Sequence, residues 1–142
     1  MKAKPFIIGF FAVLVLLGAA SVYLSLTVTP AEKSFVSLPA PDNKYKAVKI
    51  TLTRPGNPPF CIDSVAVILG VYPDDFAERD KAYENYAAPC GKFADGTPSP
   101  KIEWLSNAEL RITYAAARGA TPPREKTYDV TKAVQVTFVA RE

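Results

Sequence analysis

A chain of 142 residues with 17 basic and 14 acidic side chains carries a net charge of only +3, and it contains no histidine. That balance excludes the electrostatic footprint of a nucleic-acid or polyanion binder. The missing imidazole removes the commonest general base, the His-dependent triads and most zinc sites.

The first element in chain order is apolar. Residues Pro5 to Pro30 contain no charged side chain, and Lys2 and Lys4 sit just before them. About 20 apolar residues rising ~1.5 Å each cross a ~30 Å hydrocarbon core. Residues 1–29 are therefore expected to be a transmembrane anchor lying in a lipid bilayer through residues 5–29. The lysines before the run place the amino end in the cytoplasm and export the rest, as at a bacterial inner membrane facing the periplasm or the exterior. Gly18-Ala19-Ala20 offers small residues for cleavage before Ser21, so a signal peptide is the alternative. With Lys2 and Lys4 set aside, the remainder carries +1, from 15 basic and 14 acidic side chains. A near-neutral exported surface suits a protein partner.

Residues 30–43 read as a linker, because Pro30, Pro39 and Pro41 interrupt regular structure, although Phe35 and Val36 are candidates to dock. Residues 44–142 make the exported β-rich domain. Tyr45 to Thr53 alternates, with Val48, Ile50 and Leu52 on one face and Lys49, Thr51 and Thr53 on the other, as in a half-buried strand. Arg54-Pro55-Gly56-Asn57-Pro58-Pro59 breaks the chain. Ser64 to Tyr72 is apolar on both faces and fits a central strand covered on both sides. Pro73-Asp74-Asp75 opens a predicted helix from Asp74 to about Ala87, with acidic residues in its first turn. That helix is the local candidate to cover the strand's second face.

Lys101–Trp104 and Glu109–Tyr114 read as the arms of a hairpin around Leu105-Ser106-Asn107-Ala108, with Trp104 as its core anchor. Lys126–Val130 and Val134–Ala140 are the last predicted strands. The two cysteines, Cys61 and Cys90, read as a disulfide in an exported domain. The expected fold class is α+β, mainly antiparallel β: an N-terminal transmembrane helix, then a small disulfide-stapled β-domain with one short helix.

Three segments carry a family resemblance: Pro41-Asp42-Asn43-Lys44-Tyr45-Lys46-Ala47-Val48, Val65-Ala66-Val67-Ile68-Leu69, and Ile102-Glu103-Trp104-Leu105-Ser106-Asn107-Ala108-Glu109-Leu110-Arg111-Ile112-Thr113-Tyr114. Together they resemble a group of uncharacterised, membrane-anchored or secreted bacterial β-domains. These pair a proline-aspartate-glycine-lysine-tyrosine strand opening with a glutamate-tryptophan-leucine-serine hairpin. The likeness covers about a third of the exported domain. Asn43 stands where glycine is usual, and asparagine tolerates the same left-handed backbone. The resemblance implies a small antiparallel β-domain and no particular activity.

Chemistry-bearing patterns are sparse. Gly91, Gly96 and Gly119 are scattered rather than grouped as a phosphate loop. Asp74, Asp75, Glu78 and Asp80 lack the spacing of a calcium loop. No cofactor, metal site or catalytic residue is expected. Tyr83 and Tyr86 are the candidate partner contacts, weighed against a role as core aromatics. The leading expectation is a non-catalytic, single-pass membrane protein whose exported domain binds another envelope protein, as an accessory subunit or inhibitor. The alternative is a ligand-binding or carboxylate-based enzyme domain using Asp63, Glu103 and Glu109.

Overall fold

The computed structural model describes residues 4–27 and 29–142, and within the first helix the side chains of residues 8–24. The chain forms two compact units, Met1–Pro30 and Ala31–Glu142.

The first unit is helix α1, Lys4–Thr27. Between residues 8 and 24 it exposes large apolar groups, among them Ile8, Phe10, Leu14, Leu17, Val22 and Leu24. Ile8 to Leu24 spans about 26 Å at ~1.5 Å per residue. Among the described residues, no helix is long and apolar enough to cross a membrane. The expected anchor also draws on residues 1–3 and 28, which lie outside the described residues.

The second unit is a sandwich of two sheets with a satellite hairpin. Its elements are β1 (Glu32–Pro39), β2 (Tyr45–Arg54), β3 (Phe60–Leu69), 3₁₀ turns at Asp74–Glu78 and Lys81–Tyr83, and β4 (Glu84–Pro89). β5 (Gly91–Lys92), β6 (Pro98–Ser99), β7 (Lys101–Ser106), β8 (Glu109–Ala115), β9 (Arg124–Glu125) and β10 (Gln135–Arg141) follow. The larger sheet has the order β1-β2-β3-β4-β9, the smaller β10-β8-β7, and β5 pairs with β6. Every pairing between these strands is antiparallel except β10 on β8, which run parallel with Gln135 opposite Glu109. The expected domain is thus mainly antiparallel β, with one parallel pair that the hairpin pattern did not announce.

The core between the sheets takes Tyr45, Ala47, Val65, Val67 and Tyr86 from the larger and Leu110, Ile112 and Val136 from the smaller. A second cluster on the outer face of the larger sheet gathers Val48, Ile50, Ala66 and Ile68 under Ala77 of the first 3₁₀ turn. β3 is therefore the central strand and is covered on both faces, but it runs Phe60–Leu69 rather than the expected Ser64–Tyr72, and Val71 is 87% exposed. β2 departs from simple alternation. Ala47 is as buried as Val48, because a strand second from the edge of a two-layered sheet is packed from both sides.

Three expectations are corrected here. The linker at 30–43 contains β1, whose eight residues pair in continuous register with β2, from Glu32↔Thr53 to Pro39↔Lys46. Phe35 docks on the outer cluster, while Val36 stays 63% exposed. The helix Asp74–Ala87 is replaced by two short 3₁₀ turns and β4. Asp80 is extended and its side chain accepts from the Ala82 N–H, a local bond that competes with helix. Beyond it, the buried Asn85 accepts from the Val67 N–H and donates to the carbonyls of Lys126 and Tyr128. Those bonds and the burial of Tyr86 hold the segment as a strand against a weak helical preference. The predicted strand at Lys126–Val130 is reduced to β9 just before it and a single bridge, Tyr128↔Gln135.

Candidate functional site

β2 and β3 place Ile50, Leu52, Ile62, Ser64 and Ala66 on the outer face of the larger sheet. The 3₁₀ turns cover one end of that face, because Lys46 grips Asp74 at 2.6 Å and Lys33 grips Glu78 at 2.8 Å. Toward Leu52 and Ile62 the cover stops, leaving an open groove of about 280 Å³. Its floor is aliphatic, and Ala77, Asp80 and Lys81 form one lip. An ion pair stands at each end: Lys33–Glu78 on the β1 side and Arg124–Glu84, 3.0 Å, on the β9 side. The rim charges thus largely cancel, and the groove offers apolar area inside a neutral polar frame.

The expected partner contacts separate. Tyr86 is buried in the core between the sheets, its ring centroid 5.8 Å from Tyr114 and 6.4 Å from Phe138. It is a core aromatic, not a contact residue. Tyr83 packs against the outer cluster on the opposite face, 5.3 Å from Phe76. The two tyrosines share no platform, because one follows the 3₁₀ path and the other the alternation of β4. Burial pushes the Tyr86 hydroxyl up to about 12, and the Asp63 charge adds to it. Tyr114 is also raised, by burial first and then by its hydrogen bond to Glu125.

Trp104 is only partly buried. It packs against the inter-sheet core, and its Nε1–H donates to the Leu38 carbonyl at 2.8 Å, bridging the hairpin to β1. Cys61 and Cys90 are bonded, with Cα atoms 5.4 Å apart. They sit one step beyond the Ile62↔Pro89 pair, so the bridge closes the end of the β3–β4 ladder.

The carboxylates of the alternative reading do not converge. Asp63 is buried, accepting from Thr51 Oγ1 at 2.5 Å and paired with Lys49 Nζ at 3.5 Å. Glu103 and Glu109 are exposed on the smaller sheet, opposite Arg111 and Ser106. None of the three lines the groove. Among the described residues, no group of three or more His, Cys, Asp or Glu side chains is placed to hold a metal ion. Asp74, Asp75 and Glu78 hold Lys46, Arg79 and Lys33.

Sequence reading missed the groove. Ile62 follows a proline-rich break, Glu84 sat inside a predicted helix, and Arg124 lies 40 positions later, in the two-residue strand β9. The only signal available was Leu52, an apolar residue at the far end of an alternating strand. Comparison with known proteins adds nothing to this geometry: no family model, no curated protein and no solved structure matches the chain.

Proposed function

We propose that this chain is a non-catalytic, single-pass membrane protein whose exported domain binds another envelope protein, as an accessory subunit or an inhibitor. The groove carries the reading. It presents aliphatic side chains of β2 and β3 in a frame of paired charges, which suits an apolar anchor of a protein partner. The charge-free run from Pro5 to Pro30, with Lys2 and Lys4 before it, and the apolar exposure of α1 on its described length support membrane residence with the amino end cytoplasmic. The Cys61–Cys90 bond agrees with an oxidising compartment outside the cytosol. The resemblance to small membrane-anchored bacterial β-domains points the same way.

The test is a mild-detergent pull-down of the tagged full-length protein with mass spectrometry, repeated with Leu52→Arg. The expected result is a stoichiometric envelope protein captured by the wild type and lost from the variant. Capture unaffected by Leu52→Arg, or none at all, overturns the reading. A periplasmic reporter fused after Glu142 is expected to be active and a cytosolic one silent.

A further inference from the structure

Sheet edges are normally blunted, because a row of unpaired N–H and C=O groups recruits other strands. In the two larger sheets, three of the four edges are short, irregular or partly covered. β9 is two residues long. β7 is irregular between Trp104 and Ser106 and carries Lys101 and Glu103. The start of β10 is covered by the Tyr128 bridge and by the bond from the Val136 N–H to the Thr127 carbonyl. β1 is the longest of the four: eight residues in unbroken register with β2 and, among the described residues, no strand on its other side, although it too carries Glu32, Lys33 and Pro39.

The phase of that edge is fixed by two bonds. The Gly70 N–H donates to the Lys44 carbonyl, and the Ala40 N–H donates to the Tyr45 carbonyl. In an antiparallel ladder each residue turns both backbone groups to the same side, and successive residues alternate. On β2 the even positions therefore face β3 and the odd ones face β1. On β1, Ser34, Val36 and Leu38 bond inward, while Lys33, Phe35, Ser37 and Pro39 face outward.

We infer that β1 pairs antiparallel with β1 of a second copy of this chain, about a two-fold axis at Phe35. Among axes that pass through an outward-facing residue, the side chains favour this one. Centred on Phe35, Lys33 lies opposite Ser37 of the other copy, Ser34 opposite Val36, and Glu32 opposite Leu38, so no like charges meet. Moving the axis to Lys33 sets two lysines face to face, which is destabilising. Moving it to Ser37 sets Phe35 against Pro39, which has no N–H to give. With the axis at Phe35, that deficit falls at the last rung. The two Phe35 rings then lie side by side across the seam on the outer face, an aromatic cross-strand pair. Contact between identical patches closes at two copies rather than growing into a fibre.

The experiment measures the mass of the full-length chain in detergent by light scattering, for wild type and Ser37→Pro. Proline at position 37 removes only an outward N–H, so the β2 ladder is kept. The expected result is a wild-type dimer and a Ser37→Pro monomer, with at least a tenfold rise in dissociation constant. A second variant, Lys33→Cys/Ser37→Cys, is expected to cross-link between copies, since hydrogen-bonded cross-strand pairs hold Cα atoms ~5.5 Å apart. Arg124→Cys, at the opposite edge of the sheet, is expected not to. A monomeric wild type, a dimer that survives Ser37→Pro, or cross-linking at Arg124→Cys in place of the double variant overturns the inference.

Discussion

Replacing Gly70 by alanine puts a methyl group where there is no room. A Cβ built there falls 2.2 Å from the Asn43 carbonyl oxygen and 3.2 Å from its carbon. An ordinary carbon–oxygen contact lies ~1 Å further out, and the obstacle is backbone. The turn cannot easily retreat. The Asn43 N–H is held by Ala40 at 2.9 Å, the Lys44 N–H by the Asp42 carboxylate at 3.0 Å, and the Lys44 carbonyl by Gly70 itself at 2.9 Å. Asn43 already occupies the left-handed region at φ 58°. Overpacking costs ~1–3 kcal/mol, and a turn pinned on both sides belongs at the upper end. For a domain of this size ~3 kcal/mol lowers Tm by roughly 10–15 °C. Thermal unfolding of the full chain by circular dichroism measures it. Gly91→Ala is the control, because nothing lies within 4 Å of a Cβ there. A Gly70→Ala protein melting within about 2 °C of wild type refutes the steric argument.

Trp104→Ala is expected to cost ~2–3 kcal/mol, below the ~3–5 kcal/mol of a fully buried aromatic, and Trp104→Phe ~1 kcal/mol for the lost bond to Leu38; equal losses in chemical denaturation contradict this division. Tyr86 is raised in the folded state to about 12 from 10. Its contribution is complete below pH 10 and disappears as pH rises toward 12, on the order of 2–3 kcal/mol. Tyr86→Phe should flatten that alkaline limb, and an unchanged limb assigns it elsewhere. Cys61→Ser/Cys90→Ser should lose ~3–4 kcal/mol by loop-closure entropy. Hydrogen exchange should then rise first near Ile62 and Pro89 while the β7–β8 hairpin keeps its protection; uniform loss shows that the bridge clamps the whole domain.

What was legible in the sequence followed strong periodicity. β2, the central place of β3, the β7–β8 hairpin and the cysteine pair all rest on local pattern. The failures share one cause. β1 was hidden by prolines, one of which, Pro39, sits on an edge where a missing N–H costs little. β4 was hidden by acidic residues that imitate a helix start, and its strand state depends on Asn85 bonding to partners some 40 positions away. The groove gathers residues from Lys33 to Arg124, a span no short window samples. Trp104 was overrated because the sequence shows a large aromatic on a hairpin but not that the hairpin lies at the margin of the inter-sheet core.

The parallel seating of β10 beside β8 constrains how the domain is made. Leu110 and Ile112 on β8 are ready once the hairpin forms, but their layer lacks Val134 and Val136, both almost fully enclosed, until some 20 further residues have emerged. On that detour the chain passes through β9, which pairs with β4 in the opposite sheet. The last strand is therefore a latch that closes both layers at once. Until it closes, β8 has one neighbour and an apolar flank open to water. Closing so long a loop carries a late entropic cost, so the nascent domain is most exposed to proteases and aggregation in the interval between synthesis of Tyr114 and delivery of Phe138.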